Sequence, residues 1–173
     1  MDKKKLLVVV DMQNDFIDGP LGTDAACAVV DEVCKKIDGW DGRICYTMDT
    51  HYEDYPETVE GAHIPIPHCI NETPGWKLNQ SIEARKNADS FVVYKDSFGA
   101  TDLINIVGML EIEQVQLVGV CTDICVISNA LLLRSSFPNI SISVDASCCA
   151  GTTPQNHAMA LAVMRQCCID IVE

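Results

Sequence analysis

Short β-rich runs alternate with longer helical runs along almost the whole chain, and this rhythm limits the fold more than any other feature. Lys5–Asp11 is an apolar run that ends in an acid. Arg43–Met48, Ser90–Lys95, Val115–Val120 and Ile140–Asp145 read as further strands, and Ile169–Val172 as an edge strand. Between them, Asp24–Ile37, Thr101–Leu110, Asp123–Ser135 and Pro154–Cys168 carry helical periodicity, with Asp24 as the expected cap of the first and Thr101 at the start of the second. A strand followed by a helical crossover and another strand builds a parallel sheet with helices on both faces. The pattern therefore predicts an α/β fold: three layers, α/β/α, around a mainly parallel, doubly wound, Rossmann-like sheet, in one domain over residues 1–173.

Composition excludes several function classes. The 173 residues include 25 acids and 12 bases, a net charge of −13, which argues against nucleic acid and anionic membranes as partners. An anionic substrate stays open, because local lysines override a global sign. No apolar run approaches the roughly 18 residues of a spanning helix. The start, Met-Asp-Lys-Lys-Lys-Leu-Leu-Val-Val-Val-Asp, imitates a signal peptide, but its apolar part is five residues long and ends in Asp11. It reads as a first strand, and the expected localisation is cytoplasmic. Ten cysteines then stay reduced. Cys27, Cys34, Cys45, Cys148, Cys149, Cys167 and Cys168 read as small buried hydrophobes. A Gly-x-Gly-x-x-Gly loop is missing after the first strand, so a dinucleotide has little support.

In parallel sheets, ligands collect beyond the carboxyl ends of the strands. Asp11, Asp49, Lys95 and the segment leading to Cys125 all fall at such ends. Cys125 lies where Val118-Gly-Val-Cys-Thr-Asp-Ile-Cys-Val126 passes from strand to helix, with Thr122 or Asp123 as cap. Free N–H groups and the positive helix end there favour a thiolate and suit an oxyanion. A cysteine packed under the sheet fits the periodicity equally well; the polar Thr-Asp pair tilts the reading toward function. Asp11 ends an apolar strand, where a carboxylate is costly unless partnered. It is an ion-paired or capping residue, or the base that deprotonates Cys125. Lys95 is either an ordinary strand-end lysine or the partner of that charge. Residues 50–80 form a proline-rich loop, long enough to be functional. Asp49, His51 and His68 offer a carboxylate and two imidazoles, a set that suits Zn²⁺, Fe²⁺ or Mn²⁺. Glu53, Glu57, Glu60 and His63 are all candidates for a further ligand. His157 reads as a residue on the face of the last helix.

These residues, taken in order, resemble the isochorismatase-like cysteine hydrolases, and within them the nicotinamidases. The resemblance rests on Val9-Val-Asp-Met-Gln-Asn-Asp-Phe16, Thr47-Met-Asp-Thr-His51, Pro67-His-Cys-Ile-Asn-Glu-Thr-Pro-Gly75, Tyr94-Lys95 with Phe98-Gly, and Val118–Val126. It implies Asp11, Lys95 and Cys125 as a catalytic triad, and a divalent metal ion, zinc first with iron or manganese as alternatives. Asp49, His51 and His68 are the implied ligands, with Glu57 in Tyr55-Pro-Glu-Thr58 as the fourth. It further implies a cis peptide before Cys121, an oxyanion hole from the N–H groups of Cys121 and Cys125, and Phe16 against the substrate ring. The activity implied is hydrolysis of nicotinamide through a thioester, with a small amide as the partner molecule. Many family members are homo-oligomers. One departure stands out: Pro65 lies near a position that is usually aromatic in nicotinamidases, which leaves that pocket wall to Trp76 or Tyr55 or changes it. Two other readings are a family hydrolase for a carbamoyl or ureido compound, and a non-catalytic metal or redox module built on Cys121-x-x-x-Cys125.

Overall fold

Every side chain from Leu6 to Val10 is fully buried, because the strand they form is covered on both faces. The computed structural model describes residues 4–173; the first three residues of the lysine-rich start lie outside the described residues. Strand β1 (Lys5–Val10) leads to the short helix α1 (Asn14–Ile17), helix α2 (Asp24–Gly39) and β2 (Arg43–Asp49). The long loop after β2 contains a 3-10 turn (Tyr55–Glu57), α3 (Val59–His63) and α4 (Gln80–Glu83) before β3 (Phe91–Lys95). There follow α5 (Asp102–Met109), β4 (Gln114–Val120), a π turn (Thr122–Val126), α6 (Ile127–Ser136), β5 (Ser141–Ala150), α7 (Pro154–Gln166) and β6 (Asp170–Val172).

The six strands form one sheet in the order β3-β2-β1-β4-β5-β6, with every pair parallel. The chain winds outward from β1 to β3, returns to set β4 on the other side of β1, and winds outward again. The direction reverses between β1 and β4, so a crevice opens beyond their carboxyl ends. Alternate residues of β1 serve opposite faces. Leu6, Val8 and Val10 pack with Leu103, Val107, Ala130, Leu133 and Met164 from α5, α6 and α7. Leu7 and Val9 pack with Phe16, Val33, Ile37 and Ile82 from α1, α2 and α4. Gly119 explains how closely β1 and β4 approach: its φ is +116°, and a Cβ there would sit 2.2 Å from the Val10 carbonyl oxygen.

Three local expectations change. Thr23, not Asp24, caps α2, accepting the Ala26 N–H at 3.0 Å, while Asp24 sits in the first turn. β5 does not stop at Asp145 but continues to Ala150 through a shift of register opposite Leu117 and Gly119. The Asp145 carboxylate is satisfied by Lys36 and Ser147, each at 2.6 Å, so a charge inside the strand is tolerated. The cysteines divide: Cys34, Cys45, Cys148 and Cys149 are buried, whereas Cys27 and Cys168 are exposed and Cys167 is half-buried. Among the described residues, no helix is long and apolar enough to cross a membrane.

Candidate active site

Asp11, the residue after β1, has a φ of +48°, a left-handed conformation that costs an L-residue roughly 1–2 kcal/mol. It turns the carboxylate into the crevice, where no part of it is exposed. Thr47 on β2 donates to Asp11 Oδ1 at 2.6 Å. Lys95, at the end of β3, brings Nζ to 2.8 Å from Asp11 Oδ2, 3.0 Å from Asp49 Oδ1 and 3.6 Å from Cys125 Sγ. Lys95 Nζ therefore stands between the Asp11 carboxylate and the Cys125 sulfur. Three strands thus deliver a carboxylate, an ammonium and a sulfur to one point.

Cys125 sits in the π turn that joins β4 to α6, after a cis peptide between Val120 and Cys121. Neither Thr122 nor Asp123 caps this turn. Thr122 instead meets His157 Nδ1 at 2.8 Å, and Asp123 accepts from the Thr152 N–H at 2.8 Å and its hydroxyl at 2.5 Å. His157 is therefore half-buried and ties α7 to the nucleophile turn. The fully buried Asn129 donates to the Cys125 carbonyl at 2.8 Å and accepts from the Ala100 N–H at 2.8 Å.

Burial decides the charges. The Asp11 carboxyl is pushed above its ordinary value by desolvation, with Lys95 pulling the other way and Asp49 adding to the rise. Burial also pushes the Cys125 thiol well up, and the Asp11 charge adds to this against Lys95. Desolvation therefore opposes the thiolate that the helix end and the ammonium favour. For Lys95, burial alone would lower the ammonium, but Asp11, Cys125 and Asp49 hold it well above its ordinary value.

A second cluster adjoins the first through Asp49. Asp49, His51, Glu60 and His68 each offer one ligand atom, and these atoms lie within 4.8 Å of one another. Asp49 Oδ2 is 3.0 Å from His51 Nε2 and 3.4 Å from His68 Nε2, and Glu60 Oε1 is 3.5 and 3.6 Å from the same nitrogens. Two carboxylates and two imidazoles fit a divalent zinc, iron or manganese ion. His68 Nδ1 lies 2.8 Å from the Ile66 carbonyl, which fixes the ring and leaves Nε2 for the centre. Glu57, the fourth ligand implied by the resemblance, is exposed in the 3-10 turn and outside this cluster. The extra turn, α3, is what brings Glu60 inward instead: Thr58 caps it and Tyr55 packs beneath, its ring 4.6 Å from His51 and 5.1 Å from His68.

A cavity of about 290 Å³ opens above Cys125, lined by Phe16, Asp49, Glu60, His68, Cys121 and Cys125, with Leu21, Ile64, Phe98 and Ile124 toward its mouth. Phe16 lies 5.3 Å from the His68 ring, as a wall residue. Neither Trp76 nor Tyr55 reaches the cavity. Trp76 stacks on Tyr94 at 5.7 Å, and its indole N–H donates to Thr50 at 2.9 Å. Ile64 makes the wall, and the adjacent Pro65 is exposed.

Two supports, the buried Gln13 and the half-buried Asp15, escaped sequence reasoning, although both lie in the Asp11–Phe16 stretch. Gln13 accepts the Asp49 N–H at 2.7 Å and donates to the carbonyls of Asp49 at 2.8 Å and Trp76 at 2.7 Å. Asp15 accepts the Cys69 N–H at 2.7 Å, and a Cβ on Gly75 would collide with its carboxylate at 2.0 Å. Their signal was polarity immediately after a fully apolar strand.

Comparison with known proteins agrees with this geometry. The nicotinamidase/pyrazinamidase of Mycobacterium tuberculosis (strain ATCC 25618 / H37Rv) is 26% identical over 188 residues, covering 97% of this chain and 98% of that protein. The crystal structure of the pyrazinamidase of Pyrococcus horikoshii in complex with zinc is 25% identical with a TM-score of 0.85, covering 98% of this chain and 99% of that one. The N-carbamoylsarcosine amidase of Thermoplasma acidophilum is 27% identical with a TM-score of 0.83, covering 98% of this chain and 96% of that one. Residues 5–173 match the Isochorismatase domain, and the chain belongs to that family.

Proposed function

We propose that the protein is an amidohydrolase that converts nicotinamide to nicotinate and ammonia through a thioester on Cys125. The observation that carries this reading is the convergence of Asp11, Lys95 and Cys125 beside four metal-ligand side chains at one small cavity. Relatives named nicotinamidase in Mycobacterium tuberculosis and Schizosaccharomyces pombe support it.

Asp11 removes the thiol proton, and the sulfur attacks the carboxamide carbon. The N–H groups of Cys121 and Cys125 receive the oxyanion. Asp11 returns the proton to the leaving nitrogen, ammonia departs, and a thioester remains. A water deprotonated by Asp11 then attacks the thioester carbon, and the sulfur leaves and recovers its proton. The raised Asp11 pKa helps, because it makes this carboxylate a stronger base than an ordinary one. The Lys95 ammonium balances Asp11 at rest and the sulfur after transfer, so no net charge appears in the buried site. Asp49, His51, Glu60 and His68 would hold a divalent metal ion, which would supply a Lewis-acidic point for orienting the substrate. Phe16 packs on the substrate ring. A reducing, cytoplasmic setting fits ten free cysteines.

A second reading, hydrolysis of a carbamoyl compound, is favoured by the likeness to N-carbamoylsarcosine amidase. Such a substrate carries a carboxylate, and no lysine or arginine lines the cavity to receive it, so nicotinamide is the better match. The test is ammonia release from nicotinamide and from an N-carbamoyl amino acid, with metal content measured on the same sample. Release from nicotinamide at much the higher kcat/KM is expected. Release from the carbamoyl compound alone would establish the second reading. Metal retained without turnover of any amide would favour a binding module.

A further inference from the structure

Asn129 is polar in a place that packing alone would fill with an apolar side chain. It stands in the first turn of α6 with no exposed surface, and the other buried residues of that helix are Ala130 and Leu133. Asparagine is a weak helix former because its amide competes for backbone groups, and a buried amide is costly unless it is bonded. Both ends of this one are bonded, and to backbone groups of two separate segments. The amide oxygen accepts the Ala100 N–H at 2.8 Å. The amide nitrogen donates to the Cys125 carbonyl at 2.8 Å and to the Phe98 carbonyl at 3.3 Å.

The two segments are distant in the chain, yet both belong to the site. Cys125 carries the sulfur, in the turn whose Val126 N–H reaches back to the Cys121 carbonyl at 3.1 Å. Phe98 lines the same cavity, and Phe98–Ala100 follow closely on Lys95, whose ammonium is 3.6 Å from that sulfur. The sheet does not join these segments directly. Lys95 ends β3 and the Cys125 turn follows β4, and β2 and β1 lie between those strands. Asn129 makes the short connection instead, from the chain just beyond β3 to the turn just beyond β4.

Resting on the amidase reading above, we propose that Asn129 is a positioning residue: it sets the Cys125 sulfur in register with the Lys95 ammonium by tying together the segments that carry them, and both ends of its amide are required. The two ends can be cut separately. In Asn129→Ser the hydroxyl still donates to the carbonyl four residues earlier, that of Cys125, but is too short to reach Ala100. In Asn129→Asp the side chain keeps its shape and still accepts the Ala100 N–H, but an ionised carboxylate has no donor for the Cys125 and Phe98 carbonyls. Ammonia release from nicotinamide is measured on metal-loaded enzyme, per mole of folded protein. In both variants kcat should fall by about tenfold or more while KM stays within about threefold of wild type. On the same samples Cys125 is alkylated with iodoacetamide, and its rate is read by peptide mass mapping against Cys27, an exposed thiol on α2 across the sheet. A sulfur displaced from Lys95 loses the charge that favours its thiolate, so alkylation relative to Cys27 should slow by about threefold or more. A merely structural role would act in the opposite direction, because local loosening exposes the buried sulfur and speeds alkylation. A kcat within about threefold of wild type in either variant, a loss carried by KM alone, or alkylation as fast as in wild type or faster would overturn the proposal. If Asn129→Asp does not fold, Asn129→Ser decides. If the wild type releases no ammonia from nicotinamide, the nicotinamide reading fails, and the alkylation ratio still decides the role of Asn129.

Discussion

The site has two halves built in different ways. Asp11, Lys95 and Cys125 stand at or just beyond the ends of β1, β3 and β4, where ladders on neighbouring strands fix the backbone. His51, Glu60 and His68 stand on the loop between β2 and β3, held by side-chain contacts: Tyr55 under the two imidazoles, Thr58 at the head of α3, Asp15 on the Cys69 N–H. Asp49 belongs to both, with Oδ1 toward Lys95 and Oδ2 toward the histidines. The proposed catalytic groups thus rest on the sheet, while the candidate metal ligands of the loop rest on how that loop packs. Damage to either half should therefore have separable consequences.

Cys125→Ala should show the largest separation. Turnover of nicotinamide is expected to fall by about 10⁴-fold or more while metal content is unchanged, measured by ammonia release and metal analysis. Asp11→Asn comes next, with a loss of about 10²–10⁴-fold and the metal retained. If that variant lost its metal as well, the two halves would not be separable. In the loop half, Glu60→Gln should weaken metal binding by about tenfold or more, as read by competition with a chelator, whereas Glu57→Gln should leave it unchanged. The reverse ranking would return the fourth ligand to Glu57. Gln13→Ala removes a side chain that grips Asp49 by both its N–H and its carbonyl, and should destabilise the fold by about 1–3 kcal/mol in urea unfolding. The smallest effect expected is in pH. Because burial raises the Asp11 pKa, this base takes up its proton at a higher pH than an ordinary carboxylate as the solution is acidified. The acid limb of kcat/KM should thus fall above the usual carboxylate range, with a midpoint that belongs to the Asp11–Cys125 pair rather than to either residue. A limb at the ordinary value would contradict the burial argument.

The strand half was legible in the sequence because period and polarity give it away. Asp11 ends a fully apolar run, Lys95 ends another, and the doubly wound order follows from the alternation of strands and helices. The loop half was legible only as a set of candidates. Glu53, Glu57, Glu60 and His63 were equivalent on spacing, and the resemblance pointed to Glu57. What selects Glu60 is the turn of α3, a five-residue helix whose apolar pattern is too short to read. The same limit hid Ile64, since its place in the cavity follows from the Tyr55 hydroxyl and the Glu60 carbonyl that hold it. The burial of Cys125 was illegible for a different reason. A strand-to-helix turn suggests a thiolate, but the burial that opposes it arises from packing across several strands and leaves no local mark.

The most direct test of the account is to acid-quench the enzyme during nicotinamide turnover and map the modified peptide by mass spectrometry. The account predicts an acyl group on the Cys125 peptide of the wild type, absent in Cys125→Ala and in Asp11→Asn, together with loss of ammonia release in both variants. Undiminished ammonia release by Cys125→Ala, with no acylated peptide in any form of the protein, would contradict it.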